Sequence, residues 1–433
     1  MSEAASPAPR PLLRRLLKFA AILVGLLLLL VLLAGWLMQP QRAGSLLLGK
    51  LGDSLGLQLS AQSINYRLRG TPQLVLHGLK AQRAGDANAV LRADRVFVSL
   101  PWRSLRARGS DLTVQRVELD GPVLDLPALQ RWLASRPATG ETRLPTLVAG
   151  LRIRDGEVRN DDWRIDRLDV DLDALYPHRP LQAHVRGRYL APPLSIPADL
   201  AIAVVHPARM LSGAPTGVAG VGGITVAEAG WRVPMQVFLA GPLQLGKDFV
   251  LMRPAKLGIA ARYLSSSTQL PFRLGLHGPM AFNNATWRFV PVSVVLDGDG
   301  AIPDAGARGS VSIGKQLRLH LDGRIDDWPD AWPALPAPLA ASTSPLPFAL
   351  DYRGGIGFGD VATLEVRRDE TRFDARFRLP DVLAWTEAAA TGSLLPPLDG
   401  RLTTPRLEIA GAQLEGVEID IDAPSVHADS GTR

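Results

Sequence analysis

Leu168-Asp169-Val170-Asp171-Leu172-Asp173 alternates an apolar residue with a carboxylate over its whole length. Successive side chains of an extended chain point to opposite faces, so this stretch predicts a strand with one apolar and one charged face. Phe373, Ala375, Phe377 and Leu379 repeat the device against Arg372, Asp374, Arg376 and Arg378, and Val417-Glu418-Ile419-Asp420-Ile421-Asp422 does so again. The 41 glycines and 35 prolines punctuate the chain at short intervals. Asp155-Gly156 and Asp297-Gly298-Asp299-Gly300 read as tight turns between such runs. Strand, turn, strand units recur around 151–172 and 398–421 without a fixed period, which excludes a short solenoid repeat.

Helices are few by the same test. Leu47, Leu48, Leu51 and Leu55 share one face of a short amphipathic helix over 43–55, and Leu129, Trp132 and Leu133 mark a second over 126–135. Stretches 136–145, 207–217 and 332–347 read as loops or linkers, and 423–433 as a frayed, disordered tail.

The N-terminus bears on location. Arg10, Arg14, Arg15 and Lys18 precede the apolar run from Phe19 to Met38, which is long enough to cross a bilayer as a helix. Only Arg42 follows it closely, so the positive-inside rule keeps residues 1–18 in the cytoplasm and sends the rest across as a single-pass protein. A cleavable signal peptide would have a shorter apolar core and an A-x-A-like site; here the run continues through Trp36 and Met38. The formal charge is +6, but four cations and one anion within residues 1–18 leave only +3 for the remainder. Arginines scattered singly without a basic cluster give no footprint for nucleic acid. The chain has no cysteine, so disulfides, thiol catalysis and cysteine metal sites are excluded.

Catalytic and metal-binding patterns fare poorly. Gly52-Asp53-Ser54-Leu55-Gly56 matches both G-x-S-x-G and the Gly-Asp-Ser-Leu string of a lipase-like hydrolase family. The nucleophile elbow needs a strand before the serine and a helix after it, whereas here a helix precedes and a strand follows. The late Asp-x-x-His of that family is also missing, because Asp422 and His427 stand five apart. The seven histidines form no H-E-x-x-H and no helical pair. The carboxylate rows at Asp169, Asp171 and Asp173 and at Glu418, Asp420 and Asp422 read as solvated strand faces, since same-face neighbours stand about 7 Å apart. No enzyme activity, cofactor or metal site is expected.

The order of segments carries a resemblance. An apolar span and amphipathic helix lead into Leu57 to Tyr66, Leu74-Val75-Leu76-His77-Gly78-Leu79, Leu91 to Leu100, and Val117-Glu118-Leu119-Asp120-Gly121-Pro122-Val123-Leu124-Asp125-Leu126. This order resembles the AsmA-like proteins of Gram-negative bacteria over residues 19–126, and the units near 151–172 and 398–422 are similar to the family's later strands. The resemblance implies an inner-membrane anchor and a periplasmic β-rich body related to chorein-type bridge-like lipid transfer proteins, whose sheet forms an apolar groove for lipid acyl chains.

The expected fold is therefore mainly β: a transmembrane helix and a short amphipathic helix, then an extended, curved, mostly antiparallel sheet forming an apolar groove or open sandwich. The expected organisation is a cytoplasmic tail (1–18), an anchor (19–38), an AsmA-like N-terminal β module (39–140), a groove region (141–422, sub-boundary near 340) and a tail (423–433). Leu74, Leu76, Val96, Val98, Val117, Leu119, Leu168, Val170 and Leu172 are the groove candidates. The expected partners are membrane phospholipids, the inner membrane and a periplasmic or outer-membrane protein, in the service of lipid transport and outer-membrane maintenance. A second reading is an anchored assembly or secretion accessory similar to type II secretion protein N.

Overall fold

The computed structural model describes residue 52 and residues 56–107, 111–135, 144–192, 194–228, 230–246, 249–265, 268–284, 286–330, 332, 344–388, 397–409 and 412–422 of the 433-residue chain. Among the described residues the protein is mainly β: 22 strands belong to one mixed sheet, and two further strands form a small parallel one. The expected anchor (19–38), the helix at 43–55 with Ser54, most of the linkers at 136–145 and 332–347, and the tail lie outside the described residues. Two compact units divide the chain within 229–251.

In the first unit, β1 (Gln58–Ser60) and β2 (Ser63–Arg67) lie antiparallel along β3 (Gln73–Gln82), which also pairs with β4 (Ala89–Ser99). β5 (Thr113–Val114) leaves this sheet to pair in parallel with β8 (Thr146–Leu147). β4 also pairs antiparallel with β6 (Arg116–Asp120) and β7 (Val123–Asp125), and both of these run parallel to β9 (Leu151–Arg159). An antiparallel meander of β10 (Arg164–Leu172), β11 (Leu181–Ala191), β12 (Leu194–Val204) and β13 (Thr216–Glu228) follows β9. β14 (Trp231–Leu245) is divided between the units, and β15 (Val250–Leu264) belongs to the second from Leu251.

The second unit runs as a meander: β16 (Gln269–Asn283), β17 (Thr286–Gly298), β18 (Asp304–Ile313), β19 (Leu317–Asp327), β20 (Leu346–Gly354), β21 (Ala362–Arg368), β22 (Thr371–Phe377), β23 (Leu398–Ile409) and β24 (Ala412–Ile421), each antiparallel to the next. Four helices of at most ten residues interrupt the described strands: α1 (Trp102–Arg106), α2 (Leu126–Ala134), α3 (Pro207–Ser212) and α4 (Leu379–Ala388).

Helix α2 forms where the sequence predicts it. Asp125 caps its N-terminus, its Oδ1 accepting from the Ala128 amide at 2.7 Å, which satisfies one of the orphan donors of the first turn. Its apolar side, Leu126, Ala128, Leu129 and Trp132, is buried in one cluster with Leu76, Val96, Val98, Val117 and Leu119 of the sheet. Each large side chain fully buried there contributes about 1.5–3 kcal/mol. A smaller core in the second unit joins Ile325, Leu346, Val366 and Leu402; Trp328 and Trp332 pack against it and meet each other edge to face, ring centroids 4.8 Å apart.

Three local expectations are corrected. The presumed loop 207–217 contains α3: Pro207 takes its first position and Gly213, left-handed at φ 73°, ends it, as the residue types favour. Asp155-Gly156 is no turn but an irregularity inside β9, where Asp155 has φ 49° and the register with β10 shifts; the reversal comes at 160–163, closed by the Asn160 amide donating to the Trp163 carbonyl. Leu379 opens α4 instead of ending a strand, because Pro380 has no N–H to give a ladder.

Candidate functional site

Strand register joins apolar side chains into rows that cross the first unit. Leu76, Val96, Leu119, Ile153, Val170, Val185 and Leu200 are successive partners on β3, β4, β6, β9, β10, β11 and β12. Beside them run Leu74, Val98, Val117, Leu151, Leu172, Ala183 and Ile202. Partners in register share a face, so each row is continuous. At about 4.8 Å between strands each spans roughly 29 Å.

The rows change character along their length. On β3, β4 and β6 they lie within the packed core, under α2, which packs on β4 and β7. Leu151, Ile153 and Val158 from β9, Leu172 from β10 and Leu181 from β11 are partly buried side chains that still touch this core. Val170, Val185, Leu200 and Ile202 are half-buried and lie outside this core. On β13 the rows end at Gly222 and Gly220, the partners of Leu200 and Ile202; a methyl group at Gly220 would meet no atom within 4 Å, whereas one at Gly222 would lie 2.0 Å from the Asp199 carbonyl oxygen of the neighbouring strand. The apolar face is thus open at its far end.

The groove candidates therefore fall into two groups. Leu74, Leu76, Val96, Val98, Val117 and Leu119 are core residues, each at most 8% exposed, and Leu168, Val170 and Leu172 are half-buried on β10. Sequence reasoning missed Val185, Leu200 and Ile202, because Ala183, Gly187, Ala198 and Gly220 dilute the alternation around them. Long β10–β13 pairing is the signal that restores them. In the second unit a comparable row runs through Leu276, Val294, Ala307, Gly323, Phe348, Val366, Phe373, Leu402 and Ile419.

The opposite face is a ladder of ion pairs. Arg95 reaches Asp120 at 2.8 Å, Arg154 grips Asp171 through two bonds of 2.8 Å, and Arg188 holds Asp166. Hydrogen bonding by Arg154, then by Arg152, holds the Asp171 carboxyl below the usual carboxylate range, and Arg188 does the same for Asp166. On β11, His184 and Arg186 together pull Asp199 down. The carboxylate rows are thus arginine-paired where Asp171, Asp420 and Glu418 stand. Among the described residues no three metal-binding side chains converge, and no helix is long and apolar enough to cross a membrane.

Comparison with known proteins finds no matching family model, no matching curated protein and no matching solved structure. The geometry alone defines the class: a large β protein whose sheet in the first unit has one ion-paired face and one apolar face, the latter closed at one end and open at the other.

Proposed function

We propose that this chain is an AsmA-like protein of the bacterial inner membrane that holds phospholipid acyl chains on the open part of its apolar face, in support of lipid transport and outer-membrane maintenance. No bond is made or broken; the sheet shields the chain from water. The observation that supports this reading is the passage of the apolar rows from the packed core onto Val170, Val185, Leu200 and Ile202. The half-buried run from Val170 on β10 to Leu200 on β12 covers two strand spacings, roughly 10 Å. Burying such a row under an acyl chain recovers about 25 cal/mol per Å² of apolar surface.

Native mass spectrometry with lipid extraction tests it, on residues 43–433 expressed into the periplasm. Bound phospholipid, lost when Val170 or Val185 becomes Asp, is the expected result. A lipid-free protein that retains a stable protein partner supports the secretion-accessory reading instead.

A further inference from the structure

We propose that one corner of the first unit, built from the β2–β3 and β4–α1 connections, seats on an anionic phospholipid surface. β1 and β2 pair only with β3 among the described strands, so this corner lies at a sheet edge. The two connections are tied together: the Trp102 indole donates to the Gly70 carbonyl at 2.8 Å, and the Leu100 amide donates to the Pro72 carbonyl at 2.9 Å. Register places Arg67 opposite Gln73, and Gln73 opposite Ser99, which sets Arg67 about 10 Å from the end of β4.

Two features mark the corner. Tyr66 is 48% and Trp102 40% exposed, although the Trp102 N–H is already satisfied within the fold. Such aromatic side chains, apolar in body and polar at the tip, concentrate at bilayer interfaces. On the same two connections and the turns of chain flanking them, Arg67, Arg69, Arg103 and Arg106 are exposed. Asp111 stands 3.6 Å from Arg103 and is itself held by Thr113 and Ser104. Among the described residues Arg67, Arg69 and Arg106 have no ion-pair partner, in contrast to Arg95, Arg154 and Arg188 on the same unit.

Exposed cations interleaved with interfacial aromatics complement the phosphates of an anionic bilayer, where each arginine near the surface adds about 1 kcal/mol of attraction. Seventeen residues, 39–55, separate the apolar run ending at Met38 from Gly56. With 43–55 as the expected helix they reach about 34 Å, enough for run and corner to engage one bilayer. The inference draws on the membrane-anchor reading of residues 19–38, but not on the acyl-binding one.

The absence of cysteine from the chain makes the test clean. The full chain carrying Thr71→Cys, labelled with a polarity-sensitive dye, is reconstituted into vesicles of phosphatidylcholine alone or of equimolar phosphatidylglycerol and phosphatidylcholine. The expected result is a blue shift of the dye only with phosphatidylglycerol, reversed in about 1 M salt, where the Debye length falls to about 3 Å. A label at Thr363→Cys in the second unit serves as the background. Each of Arg67→Gln, Arg69→Gln and Arg106→Gln lowers the affinity of the corner for phosphatidylglycerol about fivefold; these side chains are exposed, and circular dichroism checks that the variants fold. Equal emission in the two vesicles, or a shift kept by the triple variant, overturns the proposal. So does an equal shift with polyglutamate in solution, which would assign the corner to an acidic polypeptide. Because lipid copurification is scored separately, loss of the vesicle response leaves the acyl-binding reading standing, and the converse holds.

Discussion

Leu119 and Ile153 are register partners across the parallel junction of β6 and β9, and the fully buried part of the row ends between them. Leu119 is 1% exposed under the α2 core, whereas Ile153 is half-buried at its margin. One apolar row thus serves as core on one side of this pair and as open surface on the other.

Truncation on the two sides separates these roles. Leu119→Ala leaves a cavity in a closed core and costs about 2–5 kcal/mol. Val185→Ala, on the half-buried meander, costs about 1 kcal/mol or less, because little packed volume surrounds it. Urea denaturation of the two variants measures the difference, and equal losses would show that β11 is as tightly covered as β6.

Helix α2 depends on its first turn. Asp125→Ala removes the acceptor for the Ala128 amide and lowers stability by about 1 kcal/mol. Asp125→Asn, which keeps an oxygen acceptor, recovers most of that loss in the same denaturation experiment.

Gly150 joins the buried β8 to β9 with φ +74°, and a Cβ there would lie 1.7 Å from the Leu172 carbonyl oxygen. Gly150→Ala therefore meets backbone on one side and a left-handed conformation on the other, the latter alone costing about 1–2 kcal/mol. The variant is expected to lose more stability than Gly230→Ala, whose site has an open surrounding and also a positive φ. Thermal midpoints of the two compare steric cost with conformational cost.

Acid weakens the ion-paired face. Asp171, Asp166 and Asp199 titrate below the ordinary 3.8 in the folded chain. A depressed carboxylate stabilises fully above its unfolded value and loses that contribution as pH falls through the folded one. Stability should thus decline as pH drops below about 4, and Arg154→Gln should make the decline shallower. Urea midpoints followed with pH check this; identical slopes for parent and variant would remove the Arg154–Asp171 pair from the account.

His320 behaves in the opposite sense. Its imidazole lies 2.7 Å from Asp351 and 3.6 Å from Asp322, and the hydrogen bond to Asp351 raises its pKa above 6.5. The raised value stabilises the fold below pH 6.5, and the contribution disappears as pH rises through the folded pKa. Nuclear magnetic resonance titration should find the His320 midpoint above 6.5 and a lower one in Asp351→Asn.

Much of the secondary structure was legible because its signals are local. Alternation named β10, β22 and β24, and Leu129, Trp132 and Leu133 placed α2 to within a residue of its observed end. The short helices α1 and α3 carry too few residues for a helical period to emerge. The irregularity at Asp155 was hidden because Asp-Gly favours a turn in isolation, while pairing on both sides of β9 holds it inside a strand.

By itself the sequence determined that the chain makes two-faced strands, that α2 has an apolar side to bury, and that thiol chemistry is absent. These follow from side-chain period and residue type, which need no knowledge of neighbours. Only the tertiary structure decided which apolar positions are closed and which are open. Val117 and Val185 look alike in sequence, each an apolar residue flanked by polar ones, yet Val117 lies 3% exposed in the α2 core and Val185 stays half-buried. The difference comes from where a helix of nine residues packs, a long-range contact whose reach the strand's own alternation does not encode.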